Sequence, residues 1–399
     1  PRAQSALARG YRPGVPLGAV AARLTPRWNV LMSEEQFFKD FDAHRWDLTI
    51  VDEEDEEQPV LQVGLVATFH LVDAYLPVRR KHIAEAFELY CKYFGDKLIW
   101  GYTGGEKMIE KDFSQHAMQD CISYIQSEGI MESAAFMWSS EKGLESAGTY
   151  MFDAFSPAGW YEQIHNSLTT VRLYLPINEI KSTGKIRFER LILEMCNILR
   201  PLHGAAGLGI QHSYEWENYQ HIEYELVQAY RGIDLCIPSG NKKWRTGYSN
   251  LNWYTYMAHH WISKLGTTEE LLKQLDDVRI GILPYQWGTI FRAGDWPALG
   301  KLDIDPQPEL YVMVNEVLKP LRVSNIGSLH YGSIAGETRL NERTSNHWMR
   351  RFDLPKNSPK HASSPLYRRI SKEEQQRLNA DKKILDDFLT PPYDDTFKF

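Results

Sequence analysis

The chain has 399 residues, 43% of them apolar and 24% charged, which excludes a collagen, a coiled coil and a wholly disordered chain. At roughly 100–200 residues per domain that length allows two domains or one large one, and no run reaches the roughly 18 apolar residues of a membrane-spanning helix. The net charge of −7 is unevenly placed: residues 1–31 hold five arginines, no lysine and no acid, leaving −12 on the remainder. An acidic body opposes nonspecific nucleic-acid binding, which needs Lys and Arg to displace counterions. It suits a basic partner, although a charge of that size also simply keeps a protein soluble.

In chain order, the Arg-rich start has the composition of an organelle transit peptide, but its one apolar stretch, VPLGAVAARL, contains proline and glycine. From Met32 the run MSEEQFFKDFD reads like an ordinary bacterial opening, so residues 1–31 are expected to be a disordered leader upstream of the native start. Residues 32–57 form an N-terminal segment ending in six acids, Asp52, Glu53, Glu54, Asp55, Glu56 and Glu57, a block that repels itself and stays solvated. In LQVGLVATFHL (61–71), Leu61, Val63, Leu65, Ala67, Phe69 and Leu71 recur with a period of two, which predicts a strand.

Pro77 opens a helix on the stripe Ile83, Phe87, Tyr90 and Phe94, and Gly95 ends it. LIWGYTGG (98–105) is a short strand and turn, and Phe113, Ala117, Cys121, Ile122 and Ile125 mark a second helix that stops at Gly129. Strands are predicted over 133–140, 149–155 and 169–175, a helix over 185–199 and a glycine-rich strand over 203–213. Helices near 217–230, 253–265 and 268–276, a hairpin at 278–293 and a helix at 308–319 complete the body. Residues 320–352 read as irregular, 356–365 as a linker and 371–389 as a solvent-facing helix before a short tail. Strands and helices mix without strict alternation, so the fold class is α+β, with a mixed, largely antiparallel sheet covered by helices in a single large unit. The expected organisation is a leader (1–31), an N-terminal segment (32–57), a body (58–355) and a linker, helix and tail (356–399).

Chemical signatures are sparse. Patterns of the GxGxxG, GxxxxGK, HExxH and GxSxG types are absent. The four cysteines lie 30, 75 and 40 residues apart, too far for a zinc knuckle or redox pair, so they are expected reduced and buried, as in a cytosol. His259 and His260 are neighbours and cannot clamp one metal from a helix; His260 falls on a stripe with Trp253, Tyr256, Met257 and Trp261, which predicts a packed core histidine. His203 and His212 are nine apart on a strand and so on opposite faces. Asp303 and Asp305 could pair as carboxylates of an acid–base site, but prolines follow them, and a loop entering a helix with a capping Asp is the simpler structure. No catalytic residue, metal site or cofactor is assigned.

Aromatic residues are 12% of the chain and densest at 242–261, with Trp244, Tyr248, Trp253, Tyr254, Tyr256 and Trp261. Trp and Tyr are enriched in protein interfaces. Stacking on nucleic acid is disfavoured because Lys242, Lys243 and Arg245 are the segment's only basic residues in an acidic body.

The order YRGIDL (230–235), NLNWYTYM (250–257) with Leu265–Gly266, IFRAGDWPALG (290–300), YVMVNEVLKPLR (311–322) and RTSNHWMRRFD (343–353), preceded by HGAAGLG (203–209), resembles the type VI secretion immunity family. That family is associated with VRR-type and related restriction-endonuclease-fold effector nucleases, and the resemblance spans roughly 60–355. It implies a cytoplasmic bacterial protein that binds a cognate secreted nuclease effector and blocks its active or DNA-binding surface, with no enzyme activity, no direct nucleic acid and no membrane. Gly232, Asp234, Asn252, Trp253, Gly294, Gly300 and Trp348 within the matching motifs read as turn formers, caps and core anchors. The expected effector contacts are the acids Asp52–Glu57 and the aromatics Trp244, Tyr248 and Tyr254. Two other readings stay open: an enzyme of hydrolase-like chemistry using Asp303, Asp305 or His203, and an adaptor or chaperone that loads an effector.

Overall fold

A computed structural model describes residues 32–51, 58–104, 108–235, 242–305, 307–331 and 339–354. The chain runs through α1 (Glu34–Ala43), β1 (Thr49–Val51), β2 (Pro59–Leu71), α2 (Pro77–Phe94), β3 (Trp100–Gly104), β4 (Ile109–Asp112), α3 (Gln115–Ser127), β5 (Ala134–Ser139), β6 (Met151–Ser156) and α4 (Gly159–His165). It continues with β7 (Thr169–Leu175), α5 (Gly184–Leu199), β8 (His203–His212), α6 (Gln220–Ala229), β9 (Tyr254–Ala258), α7 (His259–Ile262), α8 (Thr268–Gln274), β10 (Ile280–Tyr285), β11 (Gly288–Ala293), α9 (Glu309–Leu318) and α10 (Glu342–Met349).

The strands form one 11-stranded sheet in the order β10-β11-β9-β8-β2-β7-β6-β5-β3-β4, with β1 added to β2. Each ladder of that sheet is antiparallel. The fold is α+β, and the described residues from Ser33 onward fall in one compact unit. β2 is the middle strand: Leu61–His70 pairs with His212–His203 on one side and Leu65–Leu71 with Leu175–Thr169 on the other.

The alternation read in β2 sends Leu61, Val63, Leu65, Ala67, Phe69 and Leu71 into the core that also takes Ile83 and Phe87 of α2 and Leu191 and Ile192 of α5. Burying each large apolar side chain there contributes about 1.5–3 kcal/mol before entropy is counted. Across the sheet, Val66, Trp100, Tyr102, Met137, Met151 and Tyr174 form a smaller separate cluster. The glycines of β8 reflect close approach. A Cβ on Gly207 would lie 2.2 Å from Asn252 Oδ1, whose amide nitrogen donates to Leu208 O at 2.8 Å.

One expectation is overturned. The helix read over 253–265 is instead the strand β9, followed by the short α7. β9 lies between β8 and β11 and both of its faces are covered, so Tyr254, Thr255, Tyr256 and Met257 are all buried and no alternation marks it in sequence. His260 consequently leaves the supposed apolar stripe and is exposed rather than packed in the core.

Several elements were not expected at all. α1 starts at Ser33, whose side chain accepts from Gln36 N, and it buries Phe37, Phe38 and Phe41, with Phe37 stacked on Trp296 at 5.6 Å. Together with β1 it is built into the same core as the elements after residue 58. Within the stretch read as irregular, α10 is capped by Asn341, which accepts from Arg343 N and Thr344 N, and it buries Trp348 and Met349. β4 and α4 are likewise additions. The leader, the acidic run and the predicted helix at 371–389 lie outside the described residues.

Candidate protein-binding face

The three aromatics expected to meet an effector are core residues: Trp244, Tyr248 and Tyr254 are 1%, 2% and 0% exposed. That burial corrects the expectation that they form a contact surface. Tyr254 points from β9 toward α5 and donates to Glu189 Oε2 at 2.9 Å, while Trp244 packs edge-on to His70 at 5.0 Å. The segment is dense in aromatics because it fills the space beneath and between strands. The other half of the expected contact set, Asp52–Glu57, lies outside the described residues.

The residues considered for chemistry are dispersed. His203 and His212 are both buried, on opposite faces of β8; His203 Nε2 donates to Trp244 O at 2.9 Å, and burial lowers its pKa to about 4. Asp303 and Asp305 are exposed in a turn, and neither caps α9, whose N-cap is Pro308. Cys121 and Cys196 are buried and Cys91 is half-buried; all three are free thiols, and Cys236 is outside the described residues. Burial pushes the Cys121 thiol up to about 12, which removes thiolate character at neutral pH.

Buried charges are instead tied into structural networks. Glu223 of α6 accepts from His212 Nε2 at 3.0 Å and from His330 Nε2 at 2.7 Å. Burial presses its carboxyl upward, and the two imidazoles outweigh that and bring it down to about 2. Asp234 accepts from Asn250 and from Leu235 N, with Arg351 beside it; burial nevertheless raises it to about 6. Gly294 and Gly300 take positive φ, and Trp253 and Trp348 are buried, so these motif residues serve the fold. Among the described residues no group of three or more His, Cys, Asp or Glu side chains could hold a metal ion.

Among the described residues, one concavity with an accessible apolar surface lies around α4. A pocket of about 240 Å³ is walled by Phe155, Pro157, Ala158, Trp160, Tyr161 and Leu168, with Ser133 and Ser167 as its polar wall. Trp160 is 48% and Ile164 68% exposed, and Tyr161, Phe155, Ile130 and Met131 add further exposed apolar surface. A cluster of this kind is the mark of a binding surface.

Its supports are buried and specific. Glu162, with no exposed surface, accepts from Asp73 N at 2.5 Å and from Arg245 Nη2 at 2.6 Å, fastening α4 to two other segments. Arg80, equally buried, donates to the carbonyls of Glu128, Gly129 and Glu132 and so holds the loop that carries Ile130 and Met131. Gly159 N donates to Ile130 O at 2.7 Å, and a Cβ at Gly159 would strike the Tyr75 ring at 2.7 Å, so only glycine lets α4 and the loop meet. Sequence reading missed this face. The signal available was Trp160–Tyr161 outside every predicted strand, in a helix too short to show a period.

The described residues from Ser33 onward thus make one α+β unit with buried ion-pair networks and exposed aromatic side chains at α4. The TsiV family model, described as type VI immunity for VRR-NUC, matches residues 82–352, and the chain belongs to that family. Among solved structures, the Pseudomonas aeruginosa T6SS protein PA0821 is similar, with a TM-score of 0.68 and 21% identity over 91% of this chain and 98% of that one. That likeness is one of fold. None of the curated proteins matches the chain. No helix among the described residues is long and apolar enough to cross a membrane.

Proposed function

We propose that the protein is an immunity protein that binds and inhibits a cognate type VI nuclease effector in the cytoplasm of the producing cell, acting by occupancy rather than turnover. Membership of the TsiV family over residues 82–352 is the observation that carries this reading. The physical chemistry is consistent with it. A nuclease presents a basic surface to its phosphate backbone, and this chain is acidic, at −7 overall. The run Asp52–Glu57, next to the central strand β2, is the densest negative stretch and would steer association.

The test is direct. If the adjacent reading frame encodes a nuclease domain, that domain is expressed with and without this chain, and DNA digestion by the purified domain is titrated with purified protein. Protection of cells and loss of digestion at equimolar protein are expected. Digestion that persists with the protein in excess would sink the reading.

A further inference from the structure

We propose that His70 and His203 form an acid-sensitive clasp, which holds residues 242–246 against the end of the sheet while both rings are neutral and releases them on protonation. The proposal does not depend on the inhibitory reading. The two histidines face each other across the central ladder, His70 of β2 opposite His203 of β8, with ring centroids 4.8 Å apart. Both are buried, and Trp244 closes over them. Its ring meets His70 edge-on at 5.0 Å, and its carbonyl accepts from His203 Nε2 at 2.9 Å. A carbonyl only accepts, so the neutral His203 carries its proton on Nε2 and a lone pair on Nδ1. That Nδ1, and Nε2 of His70, are buried with no hydrogen-bond partner among the described residues.

The groups around the pair oppose an added proton. The group that meets His70 Nδ1, at 3.2 Å, is the neutral hydroxyl of Thr170. On β7, Arg172 is bonded to Asp153 of β6; in the covering segment, Arg245 is bonded to Glu162 of α4 and Lys243 lies 3.7 Å from Glu342. No carboxylate bonds either ring among the described residues, in contrast to His212 and His330, which share Glu223. Burial, then the neighbouring ring and Arg172, hold His70 well below the ordinary 6.5, and burial brings His203 to about 4. Above about 6.5 the closed and opened forms are both unprotonated. As the pH falls from there toward about 4, the opened form takes protons that the closed form refuses, so the clasp weakens. Its release also unmoors α4, because the Arg245 guanidinium holds both Glu162 and the carbonyl of Ser167.

The experiment follows amide hydrogen exchange of the full chain by mass spectrometry at about pH 7.5 and about pH 5, with rates corrected for the intrinsic pH dependence of exchange. Protection of 242–246 and of 159–165 is expected to fall about tenfold or more in acid, while that of 63–67 in β2 holds. The double variant His70→Asn with His203→Gln places amides where the ring nitrogens meet Thr170 and Trp244 and has nothing to titrate. In it the same segments are expected to change by less than about threefold. Equal acid loss in the double variant, or unchanged protection in wild type, overturns the clasp. A parallel loss in β2 also overturns it, since the opening is then that of the whole fold. Should the double variant fail to fold, histidine nitrogen NMR of wild type decides. Both rings neutral at about pH 5.5 while 242–246 loses protection supports the clasp, and either ring titrating near its ordinary value with 242–246 still closed overturns it.

Discussion

Glu223 illustrates how single side chains in this molecule are committed to the fold. Its two oxygens are each taken by an imidazole, and His330 is oriented in turn by accepting from Leu340 N at 3.3 Å, so α6, β8 and the segment before α10 meet at one carboxylate. Removing the charge leaves two buried donors facing a poorer acceptor. Glu223→Gln is expected to cost about 3 kcal/mol in urea unfolding at neutral pH. The pH dependence has a defined sign. Because the folded carboxyl sits near 2 against an ordinary 4.5, its contribution is present above about 4.5 and drains away as pH falls toward 2. The stability gap between wild type and Glu223→Gln should therefore narrow across that interval, which unfolding curves at pH 6, 4 and 3 would measure. The imidazoles themselves gave no clue in sequence. His212 and His330 lie 118 positions apart, and only the packing of α6 against β8 brings a carboxylate between them.

At the scale of elements, the central strands are specified by close approach as much as by apolar residues. Gly207→Ala should destabilise by about 1–3 kcal/mol, because the new Cβ would displace Asn252 from the carbonyl of Leu208. Thermal unfolding of that variant checks the value, and a neutral outcome would mean that Asn252 moves freely. Elements whose two faces differ in polarity were legible. In β7, Val171, Leu173 and Leu175 alternate against Arg172, and α2 shows its stripe from Ile83 to Phe94. β9 was not legible, because a strand covered on both faces and preceded by a tryptophan mimics a buried helix over a short window. The same physics misdirected the site. A count of aromatics cannot tell a ring under a sheet from a ring on a surface, so 244–254 drew attention although its rings are buried, while Trp160 and Tyr161 are exposed. The acid run, by contrast, is a property of sequence alone and needed no packing to be seen.

For the whole molecule, charge and contact are expected to divide the work of association. Replacing Asp52–Glu57 with Ser, Asn and Gln removes six negative charges from a net −7 and leaves −1. Stopped-flow association with the nuclease domain should then be slower and flatter against salt, with dissociation little changed, since steering charges act mainly on the encounter. An unaltered association rate and salt slope in the neutralised variant would remove the acid run from the mechanism.

The position of β2 also bears on how the chain comes into being. β2 is complete at Leu71, yet beyond the three-residue β1 its neighbours are β7, which begins at Thr169, and β8, which begins at His203. During synthesis at roughly 5–20 residues per second, an apolar 13-residue strand therefore waits about 5–20 s before its first long partner emerges, and longer for the second. Until then, past the stretch paired with β1, both of its hydrogen-bonding edges are open, the condition under which nascent strands pair with the wrong chain. A ribosome-bound chaperone is expected to hold this stretch, and stalling translation near residue 150 should yield nascent chains that aggregate, whereas stalling beyond residue 250 should not. The sheet's own order thus places a delay between making this protein and having it folded.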